Sequence, residues 1–280
     1  MQVGYTRLIM LQTEHFIQLP TVTLRYLQMG DVTNPLLFLL HGVTDNADYW
    51  GWLGRELAQR YHIVALDQRG HGKSGAPENG YRMSDYVADA AQVLRSVTTM
   101  PAIVMGHSFG GWVANRLAAE HPELVSKLIL EDPPFRADAP QNQTVSEQDQ
   151  QRWDWFQWQR DCEPMSHREK IAHCHQIHPT WSDEDRELWA TSKAQVRPRI
   201  YQANGIEWDV KWAEAAARVS CPTLLIYGEG VLGSIVDDAQ AGAVERLMSN
   251  CRAVKIVNTG HGIHRENREA MLQAVLVFLS

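Results

Sequence analysis

The chain has 280 residues, enough for one large α/β domain with an inserted subdomain and a sizeable core. Its 33 acidic residues outnumber 26 lysines and arginines, giving a formal charge of -7. This balance gives no sign of the positively charged surface that binds nucleic acid or an anionic membrane. We therefore expect the partner to be a small molecule.

Residues 1–16 mix charged side chains with apolar ones and contain no cleavable apolar segment, so we expect no secretory signal. No stretch approaches the roughly 20 apolar residues that a membrane-spanning helix needs. The four cysteines lie far apart without a CxxC pair, which is typical of reduced thiols. These features predict a cytoplasmic protein that binds neither nucleic acid nor membrane.

Short apolar runs alternate with helical patterns along most of the chain. The first pair of runs after Phe16 predicts an antiparallel hairpin. Apolar runs at residues 36–40, 62–66 and 102–105 are typical of strands buried on both faces of a parallel sheet. Further strands are predicted at residues 127–131, 223–227 and 253–257. Helical patterns occupy residues 48–60, 84–97, 109–120 and 266–279. This alternation predicts an α/β fold with a doubly wound sheet.

Residues 136–215 differ from the rest, because they are polar and contain seven of the ten tryptophans. We interpret them as a helical cap over the carboxyl edge of the sheet, with residues 1–135 and 216–280 forming the core. A cavity between cap and core would be mostly aromatic and apolar, suited to an apolar or cyclic substrate. The residues expected to line it are Trp155, Trp158, Trp189, Phe135 and His107.

Residues 106–110 read GHSFG and lie between a predicted strand and a predicted helix. A strand, a G-x-S-x-G turn and a helix together predict a nucleophile elbow, with Ser108 exposed above the sheet. The turn forces its middle residue into a strained conformation, and the flanking glycines allow strand and helix to approach closely. Because a serine hydroxyl is a poor nucleophile alone, a base and an acid must lie elsewhere.

The candidate base follows the last predicted strand. His261 comes directly after Gly260, where a loop can project an imidazole toward the elbow. His264 lies nearer the final helix, and we expect it to flank the site or to cap that helix.

Two backbone amides are candidates for an oxyanion hole. One belongs to Phe109, the residue after the candidate nucleophile. The other belongs to Val43, because Gly42 before it lets the loop turn its amides inward. We expect His41 to brace this loop.

The motifs of this chain resemble those of the α/β-hydrolase superfamily. The resemblance covers about residues 16–135 and 219–280 and rests on His41-Gly42, residues 67–74 (DQRGHGKS), the elbow and Gly260-His261. It implies a mostly parallel eight-stranded sheet flanked by helices, with the cap inserted after strand six. It also implies cofactor-independent catalysis by a serine, although the fold hosts several chemistries.

The acid that should orient His261, the third member of a catalytic triad with Ser108, departs from the common pattern of the superfamily. Most relatives have an aspartate shortly after strand seven, where this chain has Val231. A subgroup that includes zearalenone lactonase and 2-(acetamidomethylene)succinate hydrolase takes its acid from the end of strand six. In this chain Asp132 follows Ser108 by 24 residues, as that subgroup implies. Glu229 and Asp237 are the alternatives, and Glu131 should point away from Asp132.

His173, Cys174, His175 and His178 carry side chains that can bind metals, but their spacing matches no closed zinc site. We therefore expect no metal and no organic cofactor. The resulting hypothesis is a serine hydrolase that cleaves an ester, lactone or amide through an acyl-enzyme. The alternatives are a ligand receptor with little turnover and a cofactor-independent lyase or perhydrolase that uses the same triad.

Overall fold

The computed structural model describes residues 12–135, 157–201, 206 and 212–280. In these residues eight strands form one sheet. The strands are β1 Thr13–Gln18, β2 Thr23–Met29, β3 Leu36–Leu40, β4 His62–Leu66, β5 Ala102–His107, β6 Val125–Glu131, β7 Thr223–Tyr227 and β8 Cys251–Lys255. They lie in the order β1-β2-β4-β3-β5-β6-β7-β8. β2 is antiparallel to both of its neighbours, and the other pairs are parallel. The predicted, mostly parallel eight-stranded sheet is therefore confirmed.

Helices pack on both faces of the sheet. Their ranges are α1 Gly51–Leu57, α2 Met83–Val97, α3 Phe109–Glu120, α4 Gln157–Cys162, α5 His167–Ile177, α6 Asp183–Gln195, α7 Trp212–Ala216, α8 Asp238–Leu247, α9 Ile263–Glu266 and α10 Arg268–Leu279. None of these helices combines the length and the apolar character needed to cross a membrane.

The continuous apolar sequence of β3 follows from burial of both faces of the sheet. Leu36, Phe38 and Leu40 belong to one buried cluster, which includes side chains of α2, α3, α7 and α8. Leu37 and Leu39 belong to a second cluster, with side chains of α1 and α10. Successive side chains of a strand point to opposite faces, so each face of β3 meets its own layer of helices.

Two predicted helices are shorter in the structure than in the sequence pattern. The pattern over residues 48–60 divides into a 3-10 turn, Ala47–Trp50, followed by α1. The closing pattern over residues 266–279 is interrupted at Asn267, which has non-helical backbone angles. Its side chain instead accepts a hydrogen bond from the Ala270 N–H and caps α10.

Helices α4, α5 and α6 lie between β6 and β7 in the chain, where the cap is predicted. Arg268 of α10 donates to Asp185 of α6 at 2.5 Å, which ties this region to the core. The first predicted boundary, after residue 135, adjoins residues outside the described ranges. The second, at 215/216, falls inside α7, which packs against α3. The domain division itself stays a prediction.

The parallel strands place four loops at one edge of the sheet. β3 leads to Val43, β5 to Ser108, β6 to Asp132 and β8 to His261. Because neighbouring strands lie about 5 Å apart, side chains from these loops can meet.

Candidate active site

Ser108 occupies the turn between β5 and α3 with φ 51° and ψ -120°. A Cβ on Gly106 would lie 2.2 Å from the Gly110 carbonyl oxygen, and a Cβ on Gly110 would lie 2.1 Å from the Leu40 carbonyl oxygen. Both positions therefore require glycine, since a side chain would clash with backbone. Among the described residues the Ser108 hydroxyl has no hydrogen-bond partner, although Ser108 N donates to the Glu131 carbonyl oxygen at 2.8 Å.

His261 is hydrogen bonded to Asp132. Its Nδ1 lies 2.6 Å from Asp132 Oδ2, and the Asp132 carboxylate is fully buried. With the Nδ1 proton donated to the carboxylate, Nε2 carries the lone pair that a general base needs.

The loop after β7 holds the Asp132 carboxylate in place. Asp132 Oδ1 accepts from Ser234 Oγ at 2.7 Å and from Val236 N at 2.9 Å. Asp132 Oδ2 accepts from Ile235 N at 2.8 Å. The segment in which most relatives carry the acid thus supplies donors to an acid on the neighbouring strand. No sequence pattern indicates these contacts, because two of the three donors are backbone amides.

The other two candidate carboxylates form hydrogen bonds elsewhere. Glu229 Oε2 accepts from Asn258 N at 2.7 Å. Asp237 Oδ1 accepts from Gln240 N at 2.8 Å and caps α8. Of the three alternatives left open by the sequence, Asp132 is the one in contact with the imidazole of His261.

The surroundings of His261 favour its protonated form. Burial alone would lower its pKa, but the hydrogen bond to Asp132 and the charge of that carboxylate outweigh burial, so the pKa is raised above 6.5. The charges of Glu131 and Asp45 act in the same direction. The His107 ring lies 4.6 Å from the His261 ring, and its Nε2 donates to the His261 carbonyl oxygen at 3.0 Å.

Both candidate oxyanion amides lie at this edge of the sheet. Within the described residues the Val43 N–H forms no hydrogen bond, and Thr44 after it has a φ of 68°. The Phe109 N–H is the first amide of α3, at the positive end of the helix dipole. The Phe109 ring is buried edge-on against Tyr86, so the candidate contribution of this residue to the site is its backbone N–H.

A lysine of the cap region anchors the loop after β3. Lys193 Nζ on α6 donates to Asp45 Oδ1 at 2.7 Å, and to Thr44 Oγ1 and the Thr44 carbonyl oxygen at 3.0 and 3.1 Å. His41 braces the other side of the loop, since its Nε2 accepts from Gln68 N at 3.1 Å. Lys193 and Asp45 are 148 positions apart, and no local pattern predicts their pairing.

Ser108 and His261 line one cavity of about 320 Å³. Of the other predicted residues, Val43, His107 and Trp189 also line it. Lining residues not singled out from the sequence for this role are Gly42, Thr44, Asp45, Tyr49, Ile177, His178, Trp181, Lys193, Gly233, Ile235, Gly262 and Arg265.

One predicted lining residue, Phe135, does not line this cavity. Phe135 is fully buried and stacks on Trp212 with ring centroids 4.6 Å apart, because the chain turns back toward the core after Pro133. It therefore packs the core instead of the cavity. Trp155 lies outside the described residues, and so does the side chain of Trp158.

A second histidine–carboxylate pair lies beside the first. Glu131 and His264 are fully buried, and Glu131 Oε1 accepts from His264 Nδ1 at 2.8 Å and from His264 N at 3.0 Å. Burial would raise the pKa of Glu131, but the hydrogen bonds and charge of His264 lower it to about 2. The His264 ring meets Tyr49 edge-on at 4.4 Å. This pair fixes the base of α9 against the end of β6.

The candidate metal-binding side chains of α5 form no site. In the described part of the chain, no group of three or more histidine, cysteine or acidic side chains is arranged to hold a metal ion. His178 instead stacks on Trp181, with ring centroids 3.9 Å apart.

Comparison with known proteins finds relatives that are named as hydrolases. Epoxide hydrolase 1 of Caenorhabditis elegans is 27% identical over 284 residues, which cover 95% of this chain and 70% of that protein. The 2-(acetamidomethylene)succinate hydrolase of Mesorhizobium japonicum is 36% identical over 124 residues, covering 43% of this chain and 44% of that protein. Both relatives are hydrolases.

Solved structures are similar over nearly the whole chain. The thioesterase domain from the curacin biosynthetic pathway matches with a TM-score of 0.79 at 20% identity, covering 95% of this chain and 99% of that one. E-2-(acetamidomethylene)succinate hydrolase matches with a TM-score of 0.76 at 22% identity, covering 96% and 99%. These likenesses concern the fold. The family model described as alpha/beta hydrolase fold matches residues 35–267, and the chain belongs to that family.

Proposed function

We propose that the protein is a serine hydrolase that cleaves a carboxylic ester, lactone or amide of a small molecule through an acyl-enzyme. The observation that carries this proposal is the 2.6 Å contact between His261 Nδ1 and Asp132 Oδ2 at the cavity that Ser108 also lines. A nucleophile, a base and an orienting carboxylate are the three groups that acyl transfer to serine requires.

In this mechanism His261 Nε2 accepts the proton of Ser108 Oγ as the oxygen attacks the substrate carbonyl. Asp132 keeps the imidazole in the required tautomer and stabilises its positive form. The amides of Val43 and Phe109 donate to the developing oxyanion. His261 then returns the proton to the leaving group, and a water molecule activated by His261 hydrolyses the acyl-enzyme.

The residue at position 108 bears on the choice between this chemistry and epoxide opening, which the name of the nematode relative suggests. Attack of a serine oxygen on an epoxide would leave an alkyl ether on the protein. An ether has no carbonyl carbon to which water can add, so a histidine-activated water would not release it. An acyl ester has that carbon, and Ser108 therefore supports acyl transfer.

The cavity suits a small and partly apolar substrate. Its volume of about 320 Å³ is at the lower end of the usual range for ligand sites. Tyr49, Trp181 and Trp189 contribute aromatic walls. Aromatic walls with a few polar groups are typical of sites that bind small organic molecules.

The pH dependence should report the raised pKa of His261. The base must be neutral to accept a proton, so kcat/KM should rise with pH and reach half of its maximum above pH 6.5, the ordinary pKa of histidine. The measurement is kcat/KM for one ester between pH 5 and pH 9, with a substrate that does not titrate in this range. A half-maximum below pH 6.5 would contradict the ion-pair geometry of His261 and Asp132.

The proposed function is tested by labelling and turnover together. A fluorophosphonate should modify Ser108 rapidly and with one label per chain, and the wild type should turn over p-nitrophenyl acetate. The Ser108→Ala variant should remain unlabelled in the same mass-spectrometric assay. Product analysis distinguishes hydrolysis from lyase or perhydrolase chemistry.

Two outcomes would overturn the proposal. Tight ligand binding without any turnover would indicate a receptor. Diol formation from styrene oxide without ester cleavage would indicate epoxide opening.

A further inference from the structure

The guanidinium of Arg265 lies at the cavity with part of its hydrogen-bonding capacity unused. Arg265 is on α9 and is 4% exposed. Its guanidinium carbon lies 4.0 Å from the ring centre of Tyr49 and 4.6 Å from that of Trp181. Nη2 donates to the Tyr49 carbonyl oxygen at 3.3 Å, while Nε and Nη1 have no hydrogen-bond partner among the described residues. The two rings fix the orientation of the charge, and the described part of the protein leaves Nε and Nη1, on either side of Nη2, without acceptors.

The nearest carboxylate does not satisfy this charge. Asp185 Oδ1 is 3.8 Å from Arg265 Nε, too far for a hydrogen bond. Asp185 Oδ2 already accepts from Arg268 Nη2 at 2.5 Å and from Ser182 Oγ at 2.6 Å. One carboxylate is thus shared between two arginines, and it forms no hydrogen bond with Arg265.

The other ionisable side chains that line the cavity are paired or uncharged. Lys193 and Asp45 form a buried pair at 2.7 Å and neutralise each other. Burial lowers the pKa of His178 to about 4, and the positive charges of Arg265 and Lys193 act in the same direction, so this histidine adds no charge near neutral pH. Trp181 contributes a further buried donor, Nε1, without a hydrogen-bond partner in the described residues.

Buried N–H groups without acceptors are costly, and a buried cation without a full set of partners more so. A carboxylate is planar, carries one negative charge and accepts two parallel hydrogen bonds, which matches the fork of a guanidinium. We propose that the substrate carries a carboxylate, which Arg265 and the Trp181 N–H bind while the scissile carbonyl reaches Ser108. This inference rests on the proposed serine hydrolase function and narrows its substrate to monoacids with an otherwise apolar body.

The test compares substrates that differ only in this charge. Monomethyl succinate, glutarate and adipate are each paired with the neutral methyl ester in which an isopropyl group replaces the carboxylate, such as methyl 5-methylhexanoate for glutarate. The kcat/KM values are measured by titrating the released acid. We expect the wild type to favour at least one acid over its neutral partner by a factor on the order of 10 to 100.

Variants assign the preference to Arg265. Arg265→Met should reduce the acid-to-neutral ratio to about one, and Arg265→Lys, which keeps the charge but loses the fork, should reduce it in part. The matched control is Arg199→Met, because the Arg199 guanidinium also lies over a tyrosine, Tyr81 at 5.7 Å, and also has an unpaired buried Nε, but does not line the cavity. Its ratio should equal that of the wild type.

The outcomes separate this inference from the proposed function. Hydrolysis that depends on Ser108 but favours the neutral esters, or that keeps its acid preference in both Arg265 variants, would overturn the carboxylate site and leave the serine hydrolase intact. A preference for the neutral esters shows in the acid-to-neutral ratio of the wild type alone, so this outcome can be tested even if the variants do not fold. Ester hydrolysis that persists in Ser108→Ala would overturn the proposed function and this inference together.

Discussion

Replacing Ser108 with alanine should lower kcat for ester hydrolysis by about six orders of magnitude, the scale seen when a triad nucleophile is removed. The reason is that no other group remains to form the acyl-enzyme, and only the oxyanion donors and substrate binding still accelerate the attack of water. Substrate binding should survive, because it does not depend on the serine oxygen.

The variant should also fold. The Ser108 hydroxyl makes no hydrogen bond within the described residues, so its removal leaves no buried partner unpaired. The left-handed conformation at this position costs alanine about what it costs serine. Thermal unfolding should therefore give a melting temperature close to that of the wild type. Ser96→Ala on α2 is the control, and it should keep wild-type kcat. A Ser108→Ala enzyme with more than about one hundredth of the wild-type kcat would mean that His261 activates water directly.

The site could be predicted from the sequence where a local pattern dictates it. The GHSFG turn is such a pattern, because both glycines are required by backbone contacts within and beside the turn itself. The bounds of β3, β4 and β7 coincide with the predicted strands, since strands buried on both faces are almost entirely apolar. The helix break at Asn267, near the start of the predicted helix, leaves the periodicity of the pattern unchanged, so the periodicity does not reveal it.

The contacts that shape the cavity could not be predicted, because they join distant parts of the chain. Lys193 meets Asp45 from a separate region, and no spacing along the sequence marks either residue. Trp181 and Arg265 meet in the same way, each with an ordinary local role on a helix or turn. Arginine side chains on such segments are solvated as a rule, and burial, which the sequence does not show, distinguishes Arg265.

The position of the Asp132 carboxylate depends on the ends of two neighbouring strands, β6 and β7. Asp132 directly follows β6 and has a backbone φ of 42°, and its carboxylate reaches the loop after β7. The loop after β7 closes over it and donates from Ser234, Ile235 and Val236. A carboxylate with three donors and an imidazole is held in one orientation. The loop after β7 therefore supports a carboxylate that follows β6.

Replacing Asp132 with asparagine should lower kcat by about four orders of magnitude, as in other triads that lose the acid in this way. The amide oxygen of the new side chain is expected to keep the two hydrogen bonds that Asp132 Oδ1 accepts, which would turn the NH₂ group toward His261 and leave Ile235 N without its acceptor. An NH₂ group there favours the tautomer with a proton on Nε2, and that tautomer does not accept the serine proton. The pKa of His261 should also fall, because the carboxylate that raises it is gone. The residual kcat/KM should then reach half of its maximum at a lower pH than in the wild type, a change that a purely structural defect would not produce.

Glu229→Gln and Asp237→Asn are the matched controls for Asp132→Asn, since each changes one carboxylate to its amide at this end of the molecule. Glu229 accepts from Asn258 N, which a glutamine oxygen can also do, so kcat should stay within a few-fold of the wild type. Asp237 caps α8, a role that asparagine fills equally well, so kcat and stability should both be retained. A Glu229→Gln enzyme with a severe loss beside a nearly unimpaired Asp132→Asn enzyme would transfer the role of the acid to Glu229. Because the controls alter the same charge within the same region, such a result could not come from a general change in electrostatics.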